Sequence, residues 1–186
     1  MTPRIEPVPK DAWTSEQQAL LRPLEQRNQL FNIFTTLAHH PPLYRDWLTF
    51  ARYILSRSTL PARDREIVIL RIGWLCGAEY EWAQHVRIGR EVGLDDADIG
   101  RVANGPGSEG LNAHERSLLQ ATDELHADAR IADGTWNALA KTYSTQQLMD
   151  LVFTIGQYNL VSMALKTFGV ELDEGLEGFA RWKSAD

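Results

Sequence analysis

The stretch Arg65-Glu66-Ile67-Val68-Ile69-Leu70-Arg71-Ile72-Gly73-Trp74-Leu75-Cys76-Gly77-Ala78-Glu79-Tyr80-Glu81-Trp82-Ala83-Gln84-His85 decides the fold. Apolar residues nearly surround the run Ala62 to Leu75, so it reads as a buried helix. Cys76-Gly77 closes it, and Ala78 to Val92 reads as the next helix, ended by Gly93, a common residue just past a helix end. On one unbroken helix Glu66 and His85 would lie about 28 Å apart at ~1.5 Å per residue. A turn at Gly77 instead folds the two helices into an antiparallel hairpin. Glu66, about ten residues before that turn, and His85, about eight after it, then sit nearly level at the same ~1.5 Å rise.

Three side chains in this hairpin are candidates for chemistry. Glu66 has Ile69 and Leu70 at i+3 and i+4 and Gly73 at i+7, so it lies on an apolar face. A carboxylate there is either held in a structural ion pair or has its pKa raised by burial. Glu81 and His85 are four apart and project from one helical face. That geometry suits a carboxylate orienting an imidazole, and equally an ordinary surface pair. If the hairpin brings all three together between buried helices, they form an acid–base cluster. The same trio could hold a metal, but its spacing is not ExxH and no second cluster matches it, so no metal is expected.

Outward from the hairpin the pattern stays helical. Pro3, Pro7 and Pro9 mark an extended arm of the kind that stays ordered by packing on a neighbouring subunit. Thr14-Ser15-Glu16 opens a helix that Pro23 breaks or kinks. Asn28 to Leu37 reads as a helical piece, and Pro41-Pro42 starts another that runs from Leu43 to Leu55. His39 and His40 fall at that start, where an imidazole can cap. Asp95 to Val102 is a short helix, and Asn104-Gly105-Pro106-Gly107-Ser108 is the clearest linker. Ala113 to Ala127, Asp133 to Lys141 and Ser144 to Phe168 complete an all-α reading of seven to nine helices, with no sustained two-residue alternation. Gln157, Tyr158 and Asn159 interrupt the apolar face of the last helix. They either line a pocket or pair across helices.

Composition narrows the function. The 186 residues carry 25 acidic and 19 basic side chains, a formal charge of −6. That balance argues against nucleic-acid binding, which needs clustered Lys and Arg. The single cysteine, Cys76, excludes an intrachain disulfide and every CxxC motif. Its neighbours Trp74 and Leu75 point to burial. The N-terminus lacks the apolar core of a signal peptide. No apolar run approaches the ~20 residues that span a bilayer, so a soluble cytoplasmic protein with no membrane partner is expected.

The run from about Asn32 to Val102 resembles the carboxymuconolactone decarboxylase family, which includes the alkylhydroperoxidase D-like proteins. The resemblance is carried by Leu37-Ala38-His39-His40-Pro41, by Pro61-Ala62-Arg63-Asp64-Arg65-Glu66 and by Glu79-Tyr80-Glu81-Trp82-Ala83-Gln84-His85, with Gly93 and Leu94 after. The half after Asn112 matches more loosely, through Phe153-Thr154-Ile155-Gly156-Gln157-Tyr158-Asn159 and Val161-Ser162-Met163. The resemblance implies one alkylhydroperoxidase D-like helical bundle over 1–186, with a family core at 30–103 and a second helical half at 112–170. It also implies a homo-oligomer, dimer, trimer or hexamer, with sites near subunit contacts.

The family's hydroperoxidase branch relays protons from a glutamate through a histidine to a CxxC pair seven and four residues before that histidine. Those positions here are Ala78 and Glu81, so both sulfurs are absent. The disulfide cycle needs two thiols. The decarboxylase branch carries a Glu four residues before the His, as Glu81 precedes His85. It needs no metal or organic cofactor. The resemblance therefore implies decarboxylation or isomerisation of a small carbonyl acid or lactone, in aromatic-compound catabolism. His85 is then the general acid, Glu81 its partner and Glu66 the second carboxylate. Tyr80, Gln157 and Tyr158 are expected to line the substrate site. An arginine among Arg45, Arg52, Arg65 and Arg71 is expected to clamp an anion, with Arg65 and Arg71 preferred. A thiol-dependent peroxidase acting through Cys76 and a non-catalytic oligomeric binding protein remain as alternatives.

Overall fold

The computed structural model describes residues 2–182. Nine α-helices follow one another within them: α1 (Ser15–Glu25), α2 (Asn32–Leu37), α3 (Pro41–Ser56), α4 (Ala62–Leu75), α5 (Glu79–Glu91), α6 (Asp96–Asn104), α7 (Ala113–Asp128), α8 (Asp133–Leu139) and α9 (Thr145–Phe168). Short 3-10 turns occupy Lys10–Ala12 and Phe179–Arg181, and the described residues contain no strand. The all-α reading therefore holds.

The helix starts follow from local chemistry. Thr14, Asp95, Asn112 and Ser144 each accept the backbone N–H three residues on, and Gln17, Asp98, Glu115 and Gln147 return the contact. These reciprocal capping boxes satisfy backbone donors that a bare helix end would leave unpaired. At α3 the cap is His40, whose Nδ1 accepts the Leu43 N–H at 3.3 Å.

Helix α4 is the centre. Every residue from Glu66 to Gly73 is buried, and the helix packs against α5, α6, α7 and α9. Val68, Ile69, Leu70 and Ile72 are fully enclosed, as are Leu118 and Leu119 of α7 and Leu151 of α9. Gly77 makes the turn into α5 with φ +60°, a left-handed conformation that glycine adopts freely. Its N–H and that of Ala78 return to the carbonyls of Trp74 and Gly73, both at 2.9 Å.

Four details differ from expectation. Helix α1 runs through Pro23, which sits in its last turn. The second helix begins at Asn32 rather than Asn28, because Asn28 takes a left-handed turn with φ +58°. The proline-rich arm packs on its own chain. Arg4 and Ile5 donate to the Phe168 carbonyl at 2.8 and 3.1 Å, and Val8 and Trp13 join Leu21 and Ala38 in a small apolar cluster. Finally, α9 is 24 residues long and contains an 18-residue window of mean hydropathy 1.3, enough by length and composition to cross a membrane. Here it is a core helix. Its buried face includes Asp150, whose carboxylate accepts from Tyr53 Oη at 2.7 Å and from Thr59 N and Oγ1 at 2.6 and 2.7 Å.

Candidate acid–base site

The hairpin places Glu66 of α4 opposite His85 of α5. His85 Nδ1 lies 2.6 Å from Glu66 Oε2, and His85 Nε2 lies 3.0 Å from Glu81 Oε1, one helical turn earlier. All three side chains are buried. The remaining oxygen of Glu66, Oε1, accepts from Arg65 Nε at 3.2 Å. Tyr158 of α9 sets its ring edge-on to the imidazole, with centroids 4.8 Å apart and planes at 83°.

With one proton in each N···O contact the trio carries two. Either an imidazolium sits between two carboxylates, or a neutral imidazole sits between one carboxylic acid and one carboxylate. Both forms carry one net negative charge, which Arg65 offsets. A proton can thus move between Glu81 and Glu66 through the ring with no change in charge. Burial pushes the His85 pKa down, but the Glu66 charge and the hydrogen bonds to both carboxylates outweigh it and raise the pKa to about 9. The imidazolium form is therefore favoured at neutral pH. Burial, together with the Glu81 and Glu66 charges, pushes the Tyr158 phenol well above its ordinary value, so it stays neutral.

Glu81 and His85 open onto a cavity of about 180 Å³. Its far wall is apolar, built by Phe31, Ile33 and Phe34 around α2 and by Trp47, Leu48 and Leu55 of α3. Gln157 and Tyr158 form part of the near wall, and Arg52 and Arg87 add positive charge. Glu66 does not line this cavity; it holds His85 from behind. A larger cleft of about 420 Å³ opens beside Gly77, Glu79 and Lys166. It holds none of the trio and shares only Tyr80 with the smaller cavity.

The other expected residues divide. Tyr80 lines the cavity. Its hydroxyl donates to Asp173 Oδ2 at 2.5 Å and accepts from the Ile33 N–H at 3.2 Å. Arg65 is taken up by Glu66 and does not line the cavity. Arg71 does not line the cavity either. Its guanidinium makes a two-pronged contact with Asp123, at 2.6 and 2.8 Å, and donates to the carbonyls of Val102 and Ala103. Arg45 pairs with Glu16 on the surface. Of the four arginines weighed from sequence, only Arg52 reaches the cavity.

Arg87, Gln84 and Asp173 were missed. Tyr80, Gln84 and Arg87 follow an i, i+4, i+7 spacing that shares a face with Glu81, His85 and Ile88, so α5 alone carried that signal. Asp173 gave none. It lies past α9 yet ties α5 to α2, accepting from Gln84 Nε2 at 2.7 Å and from the Asn32 N–H at 2.8 Å. Cys76 lies outside the cavity, its thiol donating to Asn159 Oδ1 at 3.1 Å. Burial pushes that thiol's pKa up.

Residues 41–124 match the carboxymuconolactone decarboxylase family, a span that contains Glu66, Glu81 and His85. No curated protein matches the chain. Among solved structures the chain is similar to an alkylhydroperoxidase AhpD core, an uncharacterized peroxidase-related protein from Ralstonia eutropha JMP134. Identity is 18%, covering 91% of this chain and 92% of that one, with a TM-score of 0.78. It is also similar to an uncharacterized peroxidase-related protein from Silicibacter, at 14% identity over 98% and 92% of the two chains with a TM-score of 0.72. A third similar structure is the debrominase Bmp8 in complex with 2,3,4-tribromopyrrole, at 16% identity over 94% of each chain with a TM-score of 0.75. At such identities these likenesses establish the fold. Residues 41–124 thus match the carboxymuconolactone decarboxylase family, and the chain has the all-helical fold of an alkylhydroperoxidase AhpD core.

Proposed function

We propose that this protein is an acid–base enzyme that decarboxylates or isomerises a small carbonyl acid or lactone. The observation that carries the reading is the buried Glu66–His85–Glu81 chain, with 2.6 and 3.0 Å bridges, opening through Glu81 and His85 onto an apolar cavity. A cavity of about 180 Å³ is below the ~300–1,000 Å³ of drug-sized sites, which favours a compact substrate. Arg52 and Arg87 favour an anionic one.

In decarboxylation the carbon–carboxylate bond breaks, carbon dioxide leaves, and its electron pair moves into the conjugated carbonyl as a dienolate. Glu81, protonated from the His85 imidazolium, then delivers that proton to the ring carbon, while the second proton stays on the His85 Nδ1–Glu66 bridge and solvent restores the first. Isomerisation uses the same residues. Glu81 takes a proton from one carbon and returns it to another. An anion in the cavity favours the form with the proton on Glu81, where like charge is least. Cys76 supports the thiol alternative poorly, because its raised pKa keeps it protonated and it lies outside the cavity.

The test is proton exchange from D2O, followed by NMR, over a panel of unsaturated lactone carboxylates and 2-oxo acids. Exchange or carbon dioxide release is expected with the unaltered protein, and a fall of at least ~100-fold in both His85→Ala and Glu81→Gln, with circular dichroism unchanged. Undiminished turnover in either variant refutes the assignment.

The proposal includes a homo-oligomer. Helix α9 exposes Met149, Phe153, Leu160 and Met163, each more than half accessible. A stripe of that size on one helix favours burial against another copy. Light scattering on a Phe153→Glu, Leu160→Glu double variant checks it: a smaller particle is expected, and an unchanged mass refutes the contact.

A further inference from the structure

Gln157 lies beside Tyr158 in the cavity wall, on α9. Its side-chain Nε2 is buried and has no hydrogen-bond partner. A buried amide donor left without an acceptor costs stability, and folded proteins keep few of them. Arg52 lines the same cavity and makes no hydrogen bond or ion pair with any described residue. One cavity therefore combines a proton donor–acceptor pair, Glu81 and His85, with an unfilled amide donor and an unfilled guanidinium.

We infer that Gln157 is the oxyanion donor of this site and that Arg52, rather than Arg87, seats the substrate's carboxylate. This inference rests on the acid–base reading above and deepens it. As the bond to the departing proton or carboxylate breaks, its electron pair moves into the carbonyl and the oxygen becomes an enolate. The amide N–H of Gln157 donates to that oxygen, and the interaction strengthens as the negative charge develops. Reprotonation at carbon by Glu81 returns the pair, and no oxidant or reductant enters. The donor's cost in the empty protein is the ground-state counterpart of its gain with the enolate bound.

The probe is 4-hydroxy-3-nitrobenzoate, whose phenolate imitates the enolate and whose carboxylate addresses Arg52. The comparator is 3-nitrobenzoate, which lacks the phenolate oxygen. Isothermal titration calorimetry above the phenol pKa is expected to show the hydroxylated probe binding about tenfold more tightly, equivalent to ~1.4 kcal/mol. Gln157→Leu is expected to abolish that preference, and Arg52→Met is expected to weaken both ligands while leaving the preference in place. Gln157→Glu, which sets a carboxylate against the phenolate, is expected to disfavour the hydroxylated probe further. The melting temperature of Gln157→Leu is expected to hold or rise, since an unpaired buried amide is removed. Absence of the preference in the unaltered protein, its survival in Gln157→Leu, or a lowered melting temperature in that variant overturns the inference. The assay requires no turnover, so its failure is separable from failure of the exchange experiment.

Discussion

Replacing Glu66 by glutamine leaves the shape of the site and removes the charge that most raises the His85 pKa. In the unaltered protein that pKa is about 9, against an ordinary value of 6.5. Below pH 6.5 the folded and unfolded chains both hold the His85 proton, and its contribution to stability is complete. Between 6.5 and 9 the folded chain keeps a proton that the unfolded chain releases, so stability falls as pH rises. The span is 9 − 6.5 = 2.5 units, which at ~1.36 kcal/mol per unit gives about 3 kcal/mol lost by pH 9. For a chain of this length that corresponds to about 6–12 °C in melting temperature. In Glu66→Gln the His85 pKa is expected to drop, because burial then acts with less opposition, and the pH-dependent loss to shrink accordingly. Two readouts test this: the His85 ring resonances followed by NMR across pH 5 to 10, and melting temperatures of both proteins over the same range. The comparison of the two proteins cancels His114, whose pKa is raised by its bond to Asp64 in both. An imidazole titrating near 6.5 in the unaltered protein, or one unmoved by Glu66→Gln, refutes the relay geometry.

Two further predictions are independent of the reaction, and a third bears on it. Gly105→Ala places a methyl 2.6 Å from Arg71 Nη2 at a residue with φ +91°; the buried Arg71–Asp123 contact must shift, and denaturant unfolding is expected to show a loss of about 2–4 kcal/mol. Asp150→Asn leaves one acceptor oxygen for donors from Tyr53 and Thr59 that now share two, and a loss of about 2 kcal/mol is expected by the same measurement. Cys76→Ser is expected to leave proton exchange within about twofold of the unaltered protein; a larger fall would bring the thiol into the chemistry.

Local features of the chain were legible because they obey local rules. The enclosed apolar run of α4, the glycine at the turn and the four-residue spacing of Glu81 and His85 together define the hairpin. That hairpin is enough to level Glu66 with His85. What lay hidden depends on chain distance. Arg65 and Arg71 look alike in sequence, six apart on one helix, yet one braces Glu66 and the other is bound to Asp123, 52 residues further along. Arg52 reaches the cavity because α3 packs against α9, and no periodicity reports which helices meet. The arm with Pro3, Pro7 and Pro9 satisfied every local sign of a segment seeking a second subunit. Phe168 and Thr35 of the same chain supply its partners.

The single carboxylate of Asp173 has a practical corollary. Anyone trimming this protein would naturally stop at Phe168, where the last long helix ends. That cut would discard the anchor that holds the Tyr80 hydroxyl, the Gln84 amide and the start of α2 together. A shortened expression clone would keep most of its helices yet lose the brace behind two cavity-lining side chains, so poor performance from it would indict the cloning boundary and not the acid–base trio.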